Sequence, residues 1–238
     1  MRAPRTMFVP YDATVHVTWR CHNKSWFLHT DDMKRLYYDL LLKYKEKYEI
    51  KIYSYSLMSS HPHMTIFCKT PLHLAKFFQV VNNCFARRYN KENHMTGQVV
   101  QERYKSQVIE SDEEHAAVVI YGDLNQVRAR MINHPKHWKW SSFRHYAYGV
   151  KDELIDDAPF YCGLGITEGE RRRRYTAMLE HTLKTKGYEK RNYSKGYYIG
   201  NPIWVEQKMS SLKAELKERM RRRIDSEPSD EASGLSPP

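Results

Sequence analysis

Cysteine is scarce in this 238-residue chain. The four thiols, Cys21, Cys68, Cys84 and Cys162, are scattered, and no C-x-x-C pair occurs. That excludes a disulfide framework and a zinc ribbon. No run approaches the roughly 20 consecutive apolar residues that a membrane span needs. Met1 to Pro10 has no apolar stretch of the kind that marks a secretory signal. Also missing are the phosphate-loop, dinucleotide-binding and G-x-S-x-G fingerprints, which argues against NTPase, dehydrogenase and serine hydrolase chemistry. A reduced, cytoplasmic setting without membrane contact is the expectation. The apolar content, 41%, is too high for a disordered chain.

Positive charge is what the sequence has in excess. Lys and Arg number 39 against 28 Asp and Glu, a formal balance of +11. Such a surface favours a polyanionic partner, most often nucleic acid. The excess is uneven. Residues 1–150 carry 22 basic and 13 acidic side chains, a net of +9, and residues 151–238 carry 17 and 15, a net of +2.

Hydrophobic periodicity divides the chain. Ala13 to Arg20 alternates, with Val15, Val17 and Trp19 on one side and His16, Thr18 and Arg20 on the other, so it reads as a half-buried strand. Thr30-Asp31-Asp32 opens a helix with Met33, Leu36, Tyr37, Leu40, Leu41 and Tyr44 at helical spacing. Ile50 to Met58 alternates with Tyr53, Tyr55 and Leu57 on one face. After the Ser59-Ser60 break, His61 to Cys68 supplies the partner strand of an antiparallel hairpin. Pro71 starts a second helix, and Val99 to Ile109 is a further apolar run. Ser111 with Glu114 has capping-box spacing ahead of a helix expected to reach about Met131.

The β-α-β-β-α-β order predicts an α+β domain, a ferredoxin-like (RRM-like) antiparallel sheet with helices on one face, over residues 1–150. Helical patterns resume at Glu170 to Lys184 and Ile203 to Arg223, giving a helical C-terminal extension over 151–224. The acidic, proline-containing stretch 225–238 reads as a disordered tail.

Two local patterns could carry chemistry. In His61-Pro62-His63 the imidazoles at i and i+2 share a strand face, about 6.6 Å apart along the chain, close enough to converge on one divalent metal. Alone, such a pair among twelve histidines is as readily a coincidence of surface or core residues. Proline at the middle position is disfavoured in a central strand, so either the segment is displaced or its neighbour pairs differently. On the helix after Ser111, Ile120, Leu124, Val127 and Met131 form the stripe to be buried. Tyr121, Asn125 and Arg128 line its margin one turn apart. A half-buried tyrosine with polar neighbours would look the same.

Together these segments resemble the single-tyrosine HUH transposases, close to the REP-associated tyrosine transposases. Four segments carry the resemblance in order. They are Tyr55-Ser56-Leu57-Met58-Ser59-Ser60-His61-Pro62-His63, then Gly97 to Ser106, then Tyr121-Gly122-Asp123-Leu124-Asn125-Gln126-Val127-Arg128-Ala129, then Trp140-Ser141-Ser142-Phe143. Gly200-Asn201-Pro202 to Trp204-Val205 resembles the element that follows them, so the likeness spans about 200 residues. It implies Tyr121 as a nucleophile giving a 5′-phosphotyrosine, and His61, His63 and Asn125 as ligands of Mg²⁺ or Mn²⁺. The partner it implies is single-stranded or hairpin DNA, handled by a monomer or homodimer. Arg20, Arg87, Arg88, Arg103, Lys105 and Arg128 are the candidate phosphate contacts. The alternative is a non-catalytic DNA-binding protein on the same fold.

Overall fold

The computed structural model describes residues 3–187, 193 and 195–226. Strand β1 (Ala13–Thr18) alternates as expected, with Val15 and Val17 fully buried on one face and His16 on the other. Strands β2 (Ile50–Leu57) and β3 (Pro62–Cys68) form the hairpin, closed where Met58 N donates to the His61 carbonyl at 3.1 Å. Strands β4 (Lys105–Ile109) and β5 (Tyr198–Ile199) complete a sheet in the order β2-β3-β1-β4-β5. The α+β class is as expected. The sheet is mixed, however, because β5 runs parallel to β4 while every other pair is antiparallel.

Two details of the hairpin depart from simple alternation. The β2–β3 register shifts between Ile52 and Ser54, leaving Tyr53 as the extra residue of a bulge. Ile52, Tyr55 and Leu57 therefore enter one core and Tyr53 a second. Pro62 is the first residue of β3 and pairs with Leu57, and the β1–β3 register ends at Thr18–His63. Proline at a strand start removes no ladder hydrogen bond to β1, so His63 keeps its place in the sheet.

Helices α1 (Arg5–Phe8), α2 (Asp31–Lys45) and α3 (Pro71–Glu92) precede β4 in the chain. Thr30 and Thr70 cap the long pair, their hydroxyls accepting from Met33 N at 3.2 Å and His73 N at 3.0 Å. The apolar faces of α2 and α3, with Tyr37, Leu41, Phe77 and Phe85 fully buried, pack on the Val15 face of the sheet.

Helix α4 (Asp112–Asp123) lies across the opposite face, so helices cover both faces rather than the one expected. That second face is polar yet buried, through His16, Ser54, Thr65 and Gln107. Alternation of apolar with polar residues looked like solvation, whereas hydrogen bonding to neighbours satisfies these groups instead.

The helix after Ser111 also stops earlier than expected. It breaks at Leu124 (φ −94°, ψ −1°), and α5 (Asn125–Arg128) is a single short turn. Arg130 has φ +56°, and Met131, expected on the buried stripe, is exposed.

Among the described residues, α6 (Phe143–Tyr148), α7 (Pro159–Gly163), α8 (Glu168–Lys184) and α9 (Pro202–Ser226) follow. A second core joins Ala116, Val119, Ile120 and Leu124 of α4 and the adjoining break to Phe143, Tyr146, Phe160, Tyr175 and Leu179. Residues beyond 150 thus help to hold α4. Gly200 lets the chain turn from β5 into α9, since a Cβ there would lie 2.7 Å from Glu110 Cβ and 2.9 Å from Trp204. Of the expected acidic tail, residues 227–238 lie outside the described residues.

Gly122 sits inside α4, and a Cβ added there would meet nothing within 4 Å beyond the helix's own backbone. Glycine in a helix interior costs about 1 kcal/mol relative to alanine. Gly122→Ala is therefore expected to raise unfolding stability by about 0.5–1 kcal/mol in urea denaturation. An unchanged or lower midpoint would contradict this placement.

Candidate active site

The site forms where β1, β3 and the α4–α5 break meet. Because His16 pairs in register with Thr65 and Thr18 with His63, His16 and His63 are diagonal neighbours on adjacent strands. Their rings lie parallel, 5.3 Å between centroids at 6°, and His16 Nε2 is 3.1 Å from His63 Nδ1. His61 stands just before β3, its ring 4.9 Å from that of His63, with Nδ1 held by Ser60 Oγ at 2.9 Å.

Tyr121 occupies the last turn of α4. It is 5% exposed, its ring edge-on to His63 at 5.9 Å and to Tyr193 at 4.9 Å. The Arg128 guanidinium donates a hydrogen bond to its hydroxyl and lies 5.3 Å from the ring centroid. Asn125 follows the break and is also buried; its Nδ2 has no hydrogen-bond partner.

A cleft of about 540 Å³ joins these groups, lined by His61, His63, Tyr121, Asn125 and Arg128 together with Arg20, Arg103 and Lys105. The arrangement brings together eight of the ten residues singled out from sequence. Arg87 and Arg88 are not among them. They are exposed on α3, which packs on the other face of the sheet, and Arg88 pairs with Glu92 at 3.2 Å. Groups that carried little or no signal in sequence also build the site. His16, read from sequence only as lying on the face of its strand opposite Val15, sits behind His63, 3.1 Å from its Nδ1. Gln107, which faces His16 from β4, and Tyr193 had no local signal.

The electrostatics follow from burial among cations. Desolvation brings the His61 pKa down to about 4, with Arg20 adding to the effect. Desolvation also holds His63 well below its ordinary value, helped by His61, His16, Arg128 and Arg20. Both rings are therefore neutral at pH 7, the form that ligates a metal. Tyr121 is pushed up by desolvation, and Arg128 opposes that rise.

Two imidazoles and one amide form a mixed nitrogen and oxygen donor set compatible with Mn²⁺ or Mg²⁺ with open positions. The orphaned Asn125 Nδ2 beside them is a buried donor that an anionic oxygen in the cleft would satisfy. Among the described residues, no cluster of three or more His, Cys, Asp or Glu could hold a metal. The histidine pair with Asn125 is therefore the one donor set that the sequence singled out and that the fold assembles at the cleft.

Buried polar contacts fix the break between Tyr121 and Asn125. Asp123 is 1% exposed and accepts from Ser142 Oγ at 3.1 Å and from Tyr175 Oη of α8 at 2.5 Å. Gln126 is fully buried and bonds Ser56 Oγ of β2. The amide orientation that satisfies both its ends also directs Nε2 at the Asp123 carbonyl, 3.1 Å, and Oε1 at Trp138 Nε1, 3.2 Å. In the sequence Gln126 stands only as one member of the segment from Tyr121 to Ala129. Here it ties the short helix to the sheet.

The family model described as "Transposase IS200 like" matches residues 10–135, more than half of the chain, and the protein belongs to that family. Among solved structures, a REP-associated tyrosine transposase bound to a REP hairpin is similar at a TM-score of 0.51 and 16% identity, over 66% of this chain and 93% of that one. A Deinococcus radiodurans protein described as a transposase is 17% identical over 56% of this chain and 98% of its own, at a TM-score of 0.36. No curated protein matches by sequence. Among the described residues, no helix is long and apolar enough to cross a membrane.

The polar layer under α4 gives a pH signature. Burial lowers His115 to about 3; its Nε2 lies 3.1 Å from Thr65 Oγ1. A histidine whose folded pKa is depressed binds fewer protons than the unfolded chain between about pH 6.5 and that value, so its contribution to stability is lost as pH falls through the window. Asp123, raised to about 7 chiefly by burial, acts oppositely as pH falls below 7. A comparison of variants isolates the histidine. The urea midpoint is expected to fall more between pH 7 and pH 4.5 in the parent than in His115→Gln, and equal losses would contradict the buried neutral ring.

Proposed function

We propose that the protein is a metal-dependent strand transferase that cleaves and rejoins single-stranded or hairpin DNA through Tyr121. The observation that carries the reading is the convergence of Tyr121, His61, His63 and Asn125 on one basic cleft. The hairpin carried by the similar REP-associated transposase supports the choice of substrate.

Tyr121 Oη attacks the scissile phosphorus. The Oη–P bond forms and the P–O3′ bond breaks; the phenol proton passes to water in the cleft and the departing O3′ takes one up from water, leaving a 5′-phosphotyrosine and a 3′-hydroxyl. A phenol is a weak nucleophile near neutral pH, and its burial makes ionisation harder still. Arg128, already bonded to the hydroxyl, stabilises the negative charge that develops on Oη as its proton leaves. A Mg²⁺ or Mn²⁺ held by His61, His63 and Asn125 would polarise the scissile phosphate as a Lewis acid and orient it for in-line displacement. Arg20, Arg103 and Lys105 hold flanking phosphates along the cleft. The phosphotyrosine keeps the energy of the phosphodiester, so attack by another 3′-hydroxyl rejoins strands without a nucleotide cofactor.

End-labelled hairpin DNA incubated with Mn²⁺ and resolved on a denaturing gel separates the readings. The parent is expected to give a covalent adduct and Tyr121→Phe none, with DNA binding retained. Cleavage surviving that substitution would favour a hydrolase that uses the histidines alone. Binding with no cleavage by the parent would favour a non-catalytic DNA-binding role. In salt titrations of binding, Arg20→Gln and Lys105→Gln are each expected to reduce the slope of log K against log[salt] by about 1, and unchanged slopes would place those phosphates elsewhere.

A further inference from the structure

We propose that a hydrogen-bond relay from the Lys195 carbonyl through Gln107 and His16 fixes the tautomer of His63, so that Nδ1 carries the proton and Nε2 keeps the free lone pair. His16 and Gln107 are then positioning residues of the site. The inference rests on the reading above only for what that lone pair binds.

The relay has a direction because its two ends have fixed polarity. A backbone carbonyl only accepts, and Gln107 Nε2 lies 2.6 Å from that of Lys195, so this end of the amide is the donor. The other end, Oε1, can only accept, and it lies 3.2 Å from His16 Nδ1. His16 therefore carries its proton on Nδ1. A neutral ring has one N–H, which leaves His16 Nε2 as an acceptor, 3.1 Å from His63 Nδ1. His63 must donate there, and its remaining lone pair is on Nε2.

The groups in the chain are held in place. His16 and Gln107 are register partners on β1 and β4, exposed 2% and 4%, and the His16 and His63 ring planes lie within 6° of each other, edge to edge. Tyr193 closes one side of the His16 ring at 6.3 Å, and its backbone also hydrogen-bonds that imidazole. Metal-bound histidines commonly use the second ring nitrogen to fix orientation, and loss of such a partner costs about 10–100-fold in metal affinity. Here that partner is another histidine, whose own polarity is set one strand further on.

Long-range ¹H–¹⁵N spectra of the metal-free, histidine-labelled full chain read the tautomer directly. The parent is expected to show His63 protonated on Nδ1. Gln107→Met, which removes the acceptor without removing either ring, is expected to mix the tautomers and to weaken Mn²⁺ binding about 10–100-fold in a titration of the free-ion EPR signal. Urea midpoints verify that the variant folds. His63 protonated on Nε2 in the parent, or a tautomer unmoved in Gln107→Met, would overturn the relay. A parent with the expected tautomer and no Mn²⁺ binding would overturn the metal reading and leave the relay standing.

Discussion

Ala116, Val119, Ile120 and Leu124 hold α4 to the sheet by sharing a core with Tyr53, Phe143 and Tyr146, and the site depends on that burial. Each large side chain removed from water contributes about 1.5–3 kcal/mol, so the packing is strong enough to carry a polar cargo beneath it. The cargo is His16, Ser54, Thr65, His115 and Gln107, all buried and each hydrogen-bonded to a neighbour. An unpaired polar group there would cost about 1–3 kcal/mol. The helix is buried around most of its girth, since Val118 and Tyr121 join a third cluster with Ile109, Tyr193 and Ile199. Tyr121 is thereby set against His63, and the break at Leu124 sets Asn125 beside the same cleft.

The chain beyond residue 150 has a part in this that its near-neutral charge did not announce. Tyr175 of α8 donates to Asp123, two residues from Tyr121. Strand β5 extends the sheet beside β4, and the loop before it supplies the Lys195 carbonyl that orients Gln107. The basic excess of residues 1–150 now has a location, with Arg20, Arg103, Lys105 and Arg128 along one cleft. Arg87 and Arg88 show that a basic pair on a helix follows its own face of the fold.

Much of this was legible in the residues because local periodicity is a local property. Alternation marked β1 and the hairpin, Thr30 and Pro71 announced the helices they open, and Ser111 announced α4. The spacing of His61 and His63 fixed a shared face whatever else the chain did. Long-range pairing was not legible. The parallel β5, the bulge at Tyr53 and the helix on the second face all depend on partners far along the chain. Pro62 illustrates the limit from the other side. Its chemistry predicted a disturbance in a central strand, and one residue of register placed it at the strand start, where it disturbs nothing. The role of Gln126 was not legible either, because the buried amide contacts that decide it reach β2, 70 residues away in the chain.

The central claim is that Tyr121 is the atom donor in strand transfer. Nuclease trimming of the Mn²⁺-dependent hairpin adduct, followed by tryptic mass spectrometry, tests it most directly. The account predicts a single modified peptide carrying a 5′-linked nucleotide on Tyr121. A nucleotide on Tyr193 or any other residue, or cleaved DNA with no protein-linked product, would contradict it.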